Sequence, residues 1–322
     1  MSEIDPLDAL SGVPVSGRYT SDEVARAVGL PVEHAKRLWR ALGFPESGGQ
    51  AMFLEQDIHA LRTAAELVRT GLVDLDLAVN LARGLGQTMA RLADWQVTAI
   101  LHRVEALGAD EEQGNLIAAA IGMTDDFVQP FETLLIYAWH RHLDAAIARV
   151  EAGAADDHDL HTIDLTVGFA DIVSFTALSN RMAEGEIGDL VEVFESRCAD
   201  VISSNRGRVI KSIGDSVLFV NHDPIAAYDT AQGIIQVIGR DPRMPDVRVG
   251  LASGSVVARQ GDVFGPPVNL ASRLTAVARR NRIIVDDATA ALLPADQFET
   301  RRLAARPVRG FGIVEPVAVT RL

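Results

Sequence analysis

The sequence predicts two domains of different fold class, an all-α domain over residues 1–151 and an α+β domain over residues 162–322. Apolar residues recur at helical spacing through the first half, and no strand pattern occurs before about residue 160. After that point, short β-rich runs with hairpin signals alternate with helices, which is typical of an α+β layer and not of a doubly wound parallel sheet. The length of 322 residues agrees with two domains, since a domain averages about 150 residues.

Local signals mark the helices of the first half. The run Thr20-Ser21-Asp22-Glu23 is a helix start of the capping-box type, and a turn at 29–31 leads into a second helix that Gly43 and Pro45 end. Residues 17–46 therefore look like a helix-turn-helix. Periodicity predicts further helices over 54–70, 74–85, 87–106, 111–121 and 125–153. The small, acidic segment 152–161 is predicted to be an interdomain linker.

The pattern changes after this linker. Residues 166–170 are predicted to form a buried strand, and two β-rich runs that flank Gly214-Asp215 predict a hairpin. The other predicted elements are helices over 186–204, 224–238 and 266–279, a strand at 283–285, and a second hairpin around Gly254 made of 247–251 and 256–259.

Charge and composition limit the partners. The formal net charge is −14, of which −10 falls in residues 1–155 and −4 in residues 156–322. An acidic first half repels a phosphate backbone, so nucleic-acid binding is not expected there. No apolar run reaches the roughly 18 residues that a membrane span needs, which predicts a protein without one. A lone cysteine, Cys198, and no targeting segment indicate a cytoplasmic location.

Two aspartates are candidate metal ligands. Asp171 follows the first predicted strand, and Asp215 lies at the tip of the first hairpin. If these strands are neighbours, both carboxylates project from the same end of the sheet, where hard oxygen ligands suit one or two Mg²⁺ ions bound together with substrate phosphates. Taken singly, each residue also fits a structural role, Asp171 as a helix cap and Asp215 as a turn residue.

A third constellation lies at the start of the helix over 266–279. Pro266 and Pro267 suit a first helical turn, and Asn269 and Arg273 are then four residues apart on one face. An amide beside a guanidinium can orient a sugar and neutralise charge on a transferring phosphoryl group. An ordinary solvated helix face could carry the same pair, so the pair alone does not distinguish a binding site from an exposed surface.

Three ordered stretches together resemble the catalytic domain of class III nucleotidyl cyclases, over about residues 160–322. They are FADIVSFTALS (169–179), KSIGDSVLF (211–219) and DVFGPPVNLASRL (262–274). The resemblance implies a ferredoxin-like βαββαβ core. With its helical first half, the chain looks like the autoregulated soluble cyclases of actinobacteria.

The resemblance implies metal ligands, a base-reading pair, and groups for the ribose, the transition state and the terminal phosphates. Asp171 and Asp215, with the carbonyl of Ile172, match the metal ligands. Lys211 and Asp262 match the base-reading pair, and Asn269 matches the residue that orients the ribose. Arg273 matches the residue that stabilises the transition state, and Arg309 matches a basic residue that meets the terminal phosphates. The backbone after Asp171 would cradle phosphates. Two divalent cations, Mg²⁺ or Mn²⁺, are implied at each site.

The base-reading pair favours ATP as substrate. Lysine donates to a ring nitrogen of adenine, and aspartate accepts from its exocyclic amino group. Guanine presents an acceptor oxygen at that edge, which would leave the aspartate without a donor. The implied reaction is attack of the ribose 3′-oxygen on the α-phosphorus with loss of pyrophosphate, giving cyclic AMP. Lys211 is one of only two lysines, beside Lys36.

In this family the site lies between two catalytic domains placed head to tail, so a homodimer with two equivalent sites is implied. The first half is expected to be regulatory. The histidines His140, His142, His158 and His161 lie near the predicted boundary, where a pH-dependent charge change is chemically reasonable. Two alternatives stay open, a guanylate cyclase and a DNA-binding regulator whose cyclase-like domain only senses nucleotide.

Overall fold

The computed structural model describes residues 17–45, 51–106, 113–154 and 162–322. The chain divides into two compact units, Met1–Arg141 and His142–Leu322. Within the described ranges, no helix combines the length and the apolar character that crossing a membrane would require.

The first unit is built from helices. They are α1 (Ser21–Val28), α2 (Val32–Ala41), α3 (Glu55–Arg69), α4 (Leu75–Ala106) and α5 (Gln113–Ala154), the last of which continues into the second unit. The predicted capping box is present, because the Thr20 hydroxyl accepts from the Glu23 amide and the Glu23 carboxylate accepts from the Thr20 amide. Val24, Leu38 and Trp39 are buried together in the core of this unit.

Two helix breaks predicted from the sequence are wrong. The helices predicted over 74–85 and 87–106 form the single helix α4, and those predicted over 111–121 and 125–153 form α5, which has Pro130 in its interior. Gly86 does not end a helix. A Cβ atom at Gly86 would lie 2.3 Å from the carbonyl oxygen of Leu42, so this glycine permits the close approach of α4 to the end of α2.

The second unit is a mixed sheet covered by helices. Its strands are β1 (Thr162–Ile172), β2 (Arg208–Ile213), β3 (Ser216–Asn221), β4 (Val247–Arg259), β5 (Asp262–Phe264), β6 (Ile283–Val285), β7 (Phe298–Arg302), β8 (Arg306–Val308), β9 (Gly312–Val314) and β10 (Val317–Arg321). Its helices are α6 (Phe175–Ser179), α7 (Glu184–Ser204), α8 (Pro224–Gly239), α9 (Pro266–Val277) and α10 (Asp287–Leu292). Strands β5 and β7 to β10 and helices α6 and α10 were not anticipated from the sequence.

The strand order confirms the expected ferredoxin-like core. The main sheet runs β2-β3-β1-β4-β6-β10-β7, with β5 paired to β4, while β8 and β9 form a separate hairpin. The βαββαβ unit formed by β1 to β4 therefore has the antiparallel strand order β2-β3-β1-β4. Alternate residues of β1 enter different cores: Ala170 and Ile172 pack on the α7 and α8 side, and Val167 and Phe169 pack on the α9 side.

The hairpin predicted around Gly254 is wrong, because β4 is one strand of 13 residues. It pairs with β1 from Thr162↔Val257 to Ile172↔Val247, and this long antiparallel ladder keeps the chain extended through Gly254. The turn comes later, at Gln260 and Gly261, where both residues have positive φ (53° and 79°). That backbone is the one a two-residue hairpin prefers, and it leads into β5.

One close contact fixes α9 on the sheet. A Cβ atom at Gly250 of β4 would lie 2.4 Å from the amide nitrogen of Thr275 and 2.7 Å from the carbonyl oxygen of Ala271. The buried Thr275 hydroxyl also donates to the carbonyl of Phe169 on β1, at 3.2 Å. The helix that carries Asn269 and Arg273 is thereby held directly against β1 and β4.

Candidate active site

Asp171 lies one residue before the end of β1 and is held by two neighbours. Its Cα is paired with Ser216 on β3 and with Arg248 on β4. The Ser216 hydroxyl donates to Oδ1 at 2.5 Å, and the Arg248 Nε donates to Oδ2 at 2.7 Å. Arg248 also donates to the carbonyl of Ala276 at the end of α9, at 2.9 Å. The guanidinium therefore neutralises Asp171 and ties it to α9.

Asp215 is brought to the same end of the sheet. It follows Gly214, which has a φ of 61°, in the turn between β2 and β3, and its carbonyl accepts from the Ile172 amide at 3.1 Å. Burial and then the negative charge of Asp171 raise the pKa of Asp215 above its ordinary value. The sequence prediction that these two carboxylates project together from one sheet end agrees with this placement.

The donor set at this sheet end suits a divalent cation. Asp171 and Asp215 supply hard carboxylate oxygens, and Ile172, which follows Asp171, joins the two segments through its amide hydrogen bond to the Asp215 carbonyl. Among the residues that the structure describes, no group of three or more His, Cys, Asp or Glu side chains converges on one point. Mg²⁺ is commonly held by one or two carboxylates plus substrate phosphates and water, which is the arrangement that these two aspartates allow.

The predicted base-reading pair forms a direct ion pair. The Lys211 Nζ on β2 lies 2.5 Å from Oδ2 of Asp262 on β5, and both side chains are partly exposed. The other carboxylate oxygen of Asp262 accepts from the Val263 amide at 2.8 Å. The turn before β5 is fixed to β2 as well, because Arg208 donates to the carbonyl of Gly261. A donor and an acceptor are thus presented side by side at one edge.

Asn269 and Arg273 lie on one exposed face of α9, as expected. The helix begins after Gly265, whose φ of 144° and close approach to the Ser255 carbonyl suit glycine. Pro266 and Pro267 occupy its first turn. In the described part of the chain, neither Asn269 nor Arg273 has a side-chain hydrogen bond or ion pair. Both groups are free to meet a ligand.

The remaining candidates lie apart from these groups. Arg309 is exposed in the turn that joins β8 and β9, with Gly310 at a φ of 87° next to it. His140 and His142 are exposed on α5. His158 and His161 lie outside the described residues, as do residues 155–161 of the predicted linker.

Arg248 and Ser216 are the site residues that sequence reasoning missed. A carboxylate as enclosed as Asp171, whose side chain is 14% exposed, calls for a counter-charge. That requirement could have directed attention to an arginine, but the register of β1 on β4 selects Arg248, and the register is not local information.

The chain is similar to several known proteins. Residues 160–319 match the family described as "Adenylate and Guanylate cyclase catalytic domain". A protein of Streptomyces coelicolor named "Adenylate cyclase" is 39% identical, covering 94% of this chain and 86% of its own. A Mycobacterium tuberculosis protein named "pH-sensitive adenylate cyclase" is 30% identical, covering 91% of this chain and 76% of its own. The crystal structure of the catalytic core of a rhodopsin-guanylyl cyclase with converted specificity, in complex with ATPalphaS, matches at a TM-score of 0.47 and 26% identity, covering 50% of this chain and 99% of that one.

The fold and the motif residues define a nucleotidyl cyclase catalytic domain. The chain belongs to the class III cyclase family, and the match to the Streptomyces coelicolor adenylate cyclase extends over the helical first half as well as the catalytic half.

Proposed function

We propose that this chain is an adenylate cyclase that converts ATP to 3′,5′-cyclic AMP and pyrophosphate. The observation that carries the choice of substrate is the Lys211–Asp262 pair, with Nζ and Oδ2 2.5 Å apart. Held together on β2 and β5, the ammonium can donate to a ring nitrogen of adenine while the carboxylate accepts from the exocyclic amino group. The relatives named adenylate cyclase support the same choice.

The other groups position the reacting atoms. Asn269 orients the ribose so that its 3′-oxygen faces the α-phosphorus, and Arg273 neutralises the charge that develops on the transferring phosphoryl group. Arg309 meets the terminal phosphates. Two divalent cations, Mg²⁺ or Mn²⁺, held by Asp171, Asp215 and the Ile172 carbonyl, would supply a lowered pKa at the 3′-hydroxyl and hold the triphosphate.

We further infer that the site is completed between two copies in a head-to-tail homodimer. One protomer supplies Asp171 and Asp215, and its partner supplies the base-reading pair with Asn269 and Arg273. The exposed and unpaired side chains of Asn269 and Arg273 support this, as does the lack of any contact between them and the two carboxylates within the described ranges. A C₂ arrangement would make two sites from one surface.

The domain division at 1–151, 152–161 and 162–322 is part of this proposal, with the first domain regulating the second. pH is the proposed signal, supported by the relative named pH-sensitive adenylate cyclase and by exposed His140 and His142. Replacing His140, His142, His158 and His161 by glutamine should flatten activity as a function of pH. An unchanged profile would refute a role for these histidines.

The substrate is tested by product analysis. The full chain, supplied with ATP or GTP and with Mg²⁺ or Mn²⁺, should form cyclic AMP from ATP in strong preference to cyclic GMP from GTP. Changing Lys211→Glu together with Asp262→Ser should move that preference toward GTP by at least tenfold, since the donor becomes an acceptor. Lys36→Glu controls for the lysine exchange, because it makes at the other lysine the same charge change as Lys211→Glu. Equal use of both nucleotides by the unaltered chain would contradict the proposal.

A further inference from the structure

A cleft of about 440 Å³ lies on the α9 side of the sheet, beyond the end of that helix. Its floor is a row of paired residues across three strands, Ile284 on β6, Ala318 on β10 and Arg301 on β7. The small side chain of Ala318 makes the floor deep, and the end of α9 at Val277 forms one wall. Its volume is in the range of small-molecule sites, which measure about 300–1,000 Å³.

Arginines line this cleft. They are Arg279, Arg282, Arg301 and Arg306. In the part of the chain that the structure describes, the guanidinium groups of the first three have no hydrogen-bond or ion-pair partner. Arg306 is half-buried and donates to the Val277 carbonyl at 3.5 Å, which directs it toward the end of α9.

The neighbouring arginines behave differently. Arg280, next to Arg279, pairs with Asp246, and Arg302, next to Arg301, pairs with Asp287 and Glu315. Neither of them lines the cleft. The two arginines adjacent to the cleft thus have carboxylate partners, whereas Arg279, Arg282 and Arg301 inside it have none among the described residues, although the chain carries 44 acidic side chains against 30 basic ones.

The charge of the lining sets the ligand class. Four arginines stand against one lining carboxylate, that of Glu299, so the lining has a formal charge of +3. Guanidinium groups match phosphate oxygens in bidentate geometry, and they bind best where several converge. Glu299 is paired in register with Thr320, which gives the cleft one polar end that can accept from a hydroxyl or amino group.

We propose that this cleft is an anion site that binds a polyphosphate chain and that is separate from the Asp171–Asp215 cation centre. Two sources share that chemistry, inorganic polyphosphate and a nucleoside triphosphate. A nucleotide would in addition offer hydroxyl and amino donors to Glu299. The proposal uses no residue assigned to the cyclase reaction.

The test is calorimetric titration of the full chain in EDTA, which removes divalent cations, in an Asp171→Asn, Asp215→Asn background that disables the metal centre. The probes are pyrophosphate, tripolyphosphate and a non-hydrolysable ATP analogue. Binding should persist in this background, and Arg279→Gln with Arg301→Gln should weaken it at least tenfold, since each variant removes a charge-assisted contact to the phosphates. The matched control, Arg280→Gln with Arg302→Gln, removes the same charge from adjacent positions and should leave binding within twofold.

Glu299→Gln identifies the source of the phosphate. If Glu299→Gln weakens binding of the ATP analogue and of no other probe, the cleft is assigned to a nucleotide. If Glu299→Gln binds each of the three probes as tightly as the background protein does, the cleft is assigned to inorganic polyphosphate. The proposal is overturned if no probe binds at millimolar concentration, or if both arginine pairs weaken binding equally. Circular dichroism of each variant, with an unfolding midpoint near that of the background, excludes loss of folding as the cause.

Discussion

Arg248 offers the sharpest test of the metal centre, because it occupies the carboxylate that a cation would use. In the structure two guanidinium nitrogens lie 2.7 Å from Oδ2 of Asp171, with the two side chains 27% and 14% exposed. Breaking a fully buried pair costs about 3–5 kcal/mol, and an exposed pair is worth about 0–1. This pair is intermediate, so Arg248→Met should lower the free energy of unfolding by about 2 kcal/mol.

Two measurements follow from that change. The unfolding midpoint of the metal-free protein should fall by about 4–8 °C, at about 2–4 °C per kcal/mol for a domain of this size. A cation no longer has to displace a guanidinium from Asp171, so Mn²⁺ should bind at least tenfold more tightly in the absence of nucleotide, as read from the electron paramagnetic resonance signal of free Mn²⁺. Added Mn²⁺ should then restore more stability to the variant than to the unaltered chain.

The control is Arg302→Met, which removes an arginine whose ion pairs are exposed. It should leave Mn²⁺ affinity unchanged and shift the midpoint by less than about 4 °C. If Arg248→Met binds Mn²⁺ no more tightly than the unaltered chain, the arginine and the metal do not compete for Asp171, and the reasoning fails.

Three further predictions concern the dimer, the pH dependence and the packing of α9. Asp171→Ala and Arg273→Ala chains should each be inactive, and mixing them should restore activity by forming one intact site per heterodimer. A lack of recovered activity despite demonstrated subunit exchange would count against a shared site. The pKa of Asp215 is raised above its ordinary value of 3.8, so the metal-free protein should lose stability as pH rises through that raised pKa. Asp215→Asn should therefore be more stable than the unaltered chain at pH 7, with the advantage gone below about pH 3.8, as denaturant unfolding would measure. Product assays should show its cyclase activity lost at every pH. Gly250→Ala should lower the free energy of unfolding by about 3 kcal/mol, because its Cβ would meet the Thr275 amide. The control Gly239→Ala, whose Cβ meets nothing within 4 Å, should be neutral. Equal unfolding midpoints for the two variants would show that α9 is not held by this contact.

Local chemistry explains which elements the sequence could predict. The capping box at Thr20 and Glu23 involves residues three positions apart, and the turn at Gly214 needs only a positive φ. The helix start at Pro266 depends on the first helical turn alone. In each case the cause lies within a few residues, so the pattern was sufficient.

The errors at Gly86 and Gly254, like the failure to anticipate β7, share a cause, which is that a distant contact decided the structure. Gly86 looks like a helix break, yet it lies inside α4, where the absence of a side chain lets the backbone of Leu42 pack closely against the helix. Gly254 looks like a turn, yet the ladder between β1 and β4 keeps it extended. Strand β7 contains four polar residues in five and has only Phe298 buried, so its strand character comes from pairing with β10, which no local pattern reports.

In the candidate site, too, some residues could be predicted from local motifs and others depend on distant contacts. Residue types at Asp171, Asn269 and Arg273 were readable from motifs, whereas the charge state of the site depends on Arg248, which strand register alone selects. The carboxylates begin with an internal counter-ion, while the groups on α9 begin unpaired. A cation held by Asp171 would compete with the Arg248 guanidinium, and the released positive charge would then be available to the triphosphate. Metal and nucleotide binding would therefore be coupled through Arg248, and each should strengthen the other by the same factor.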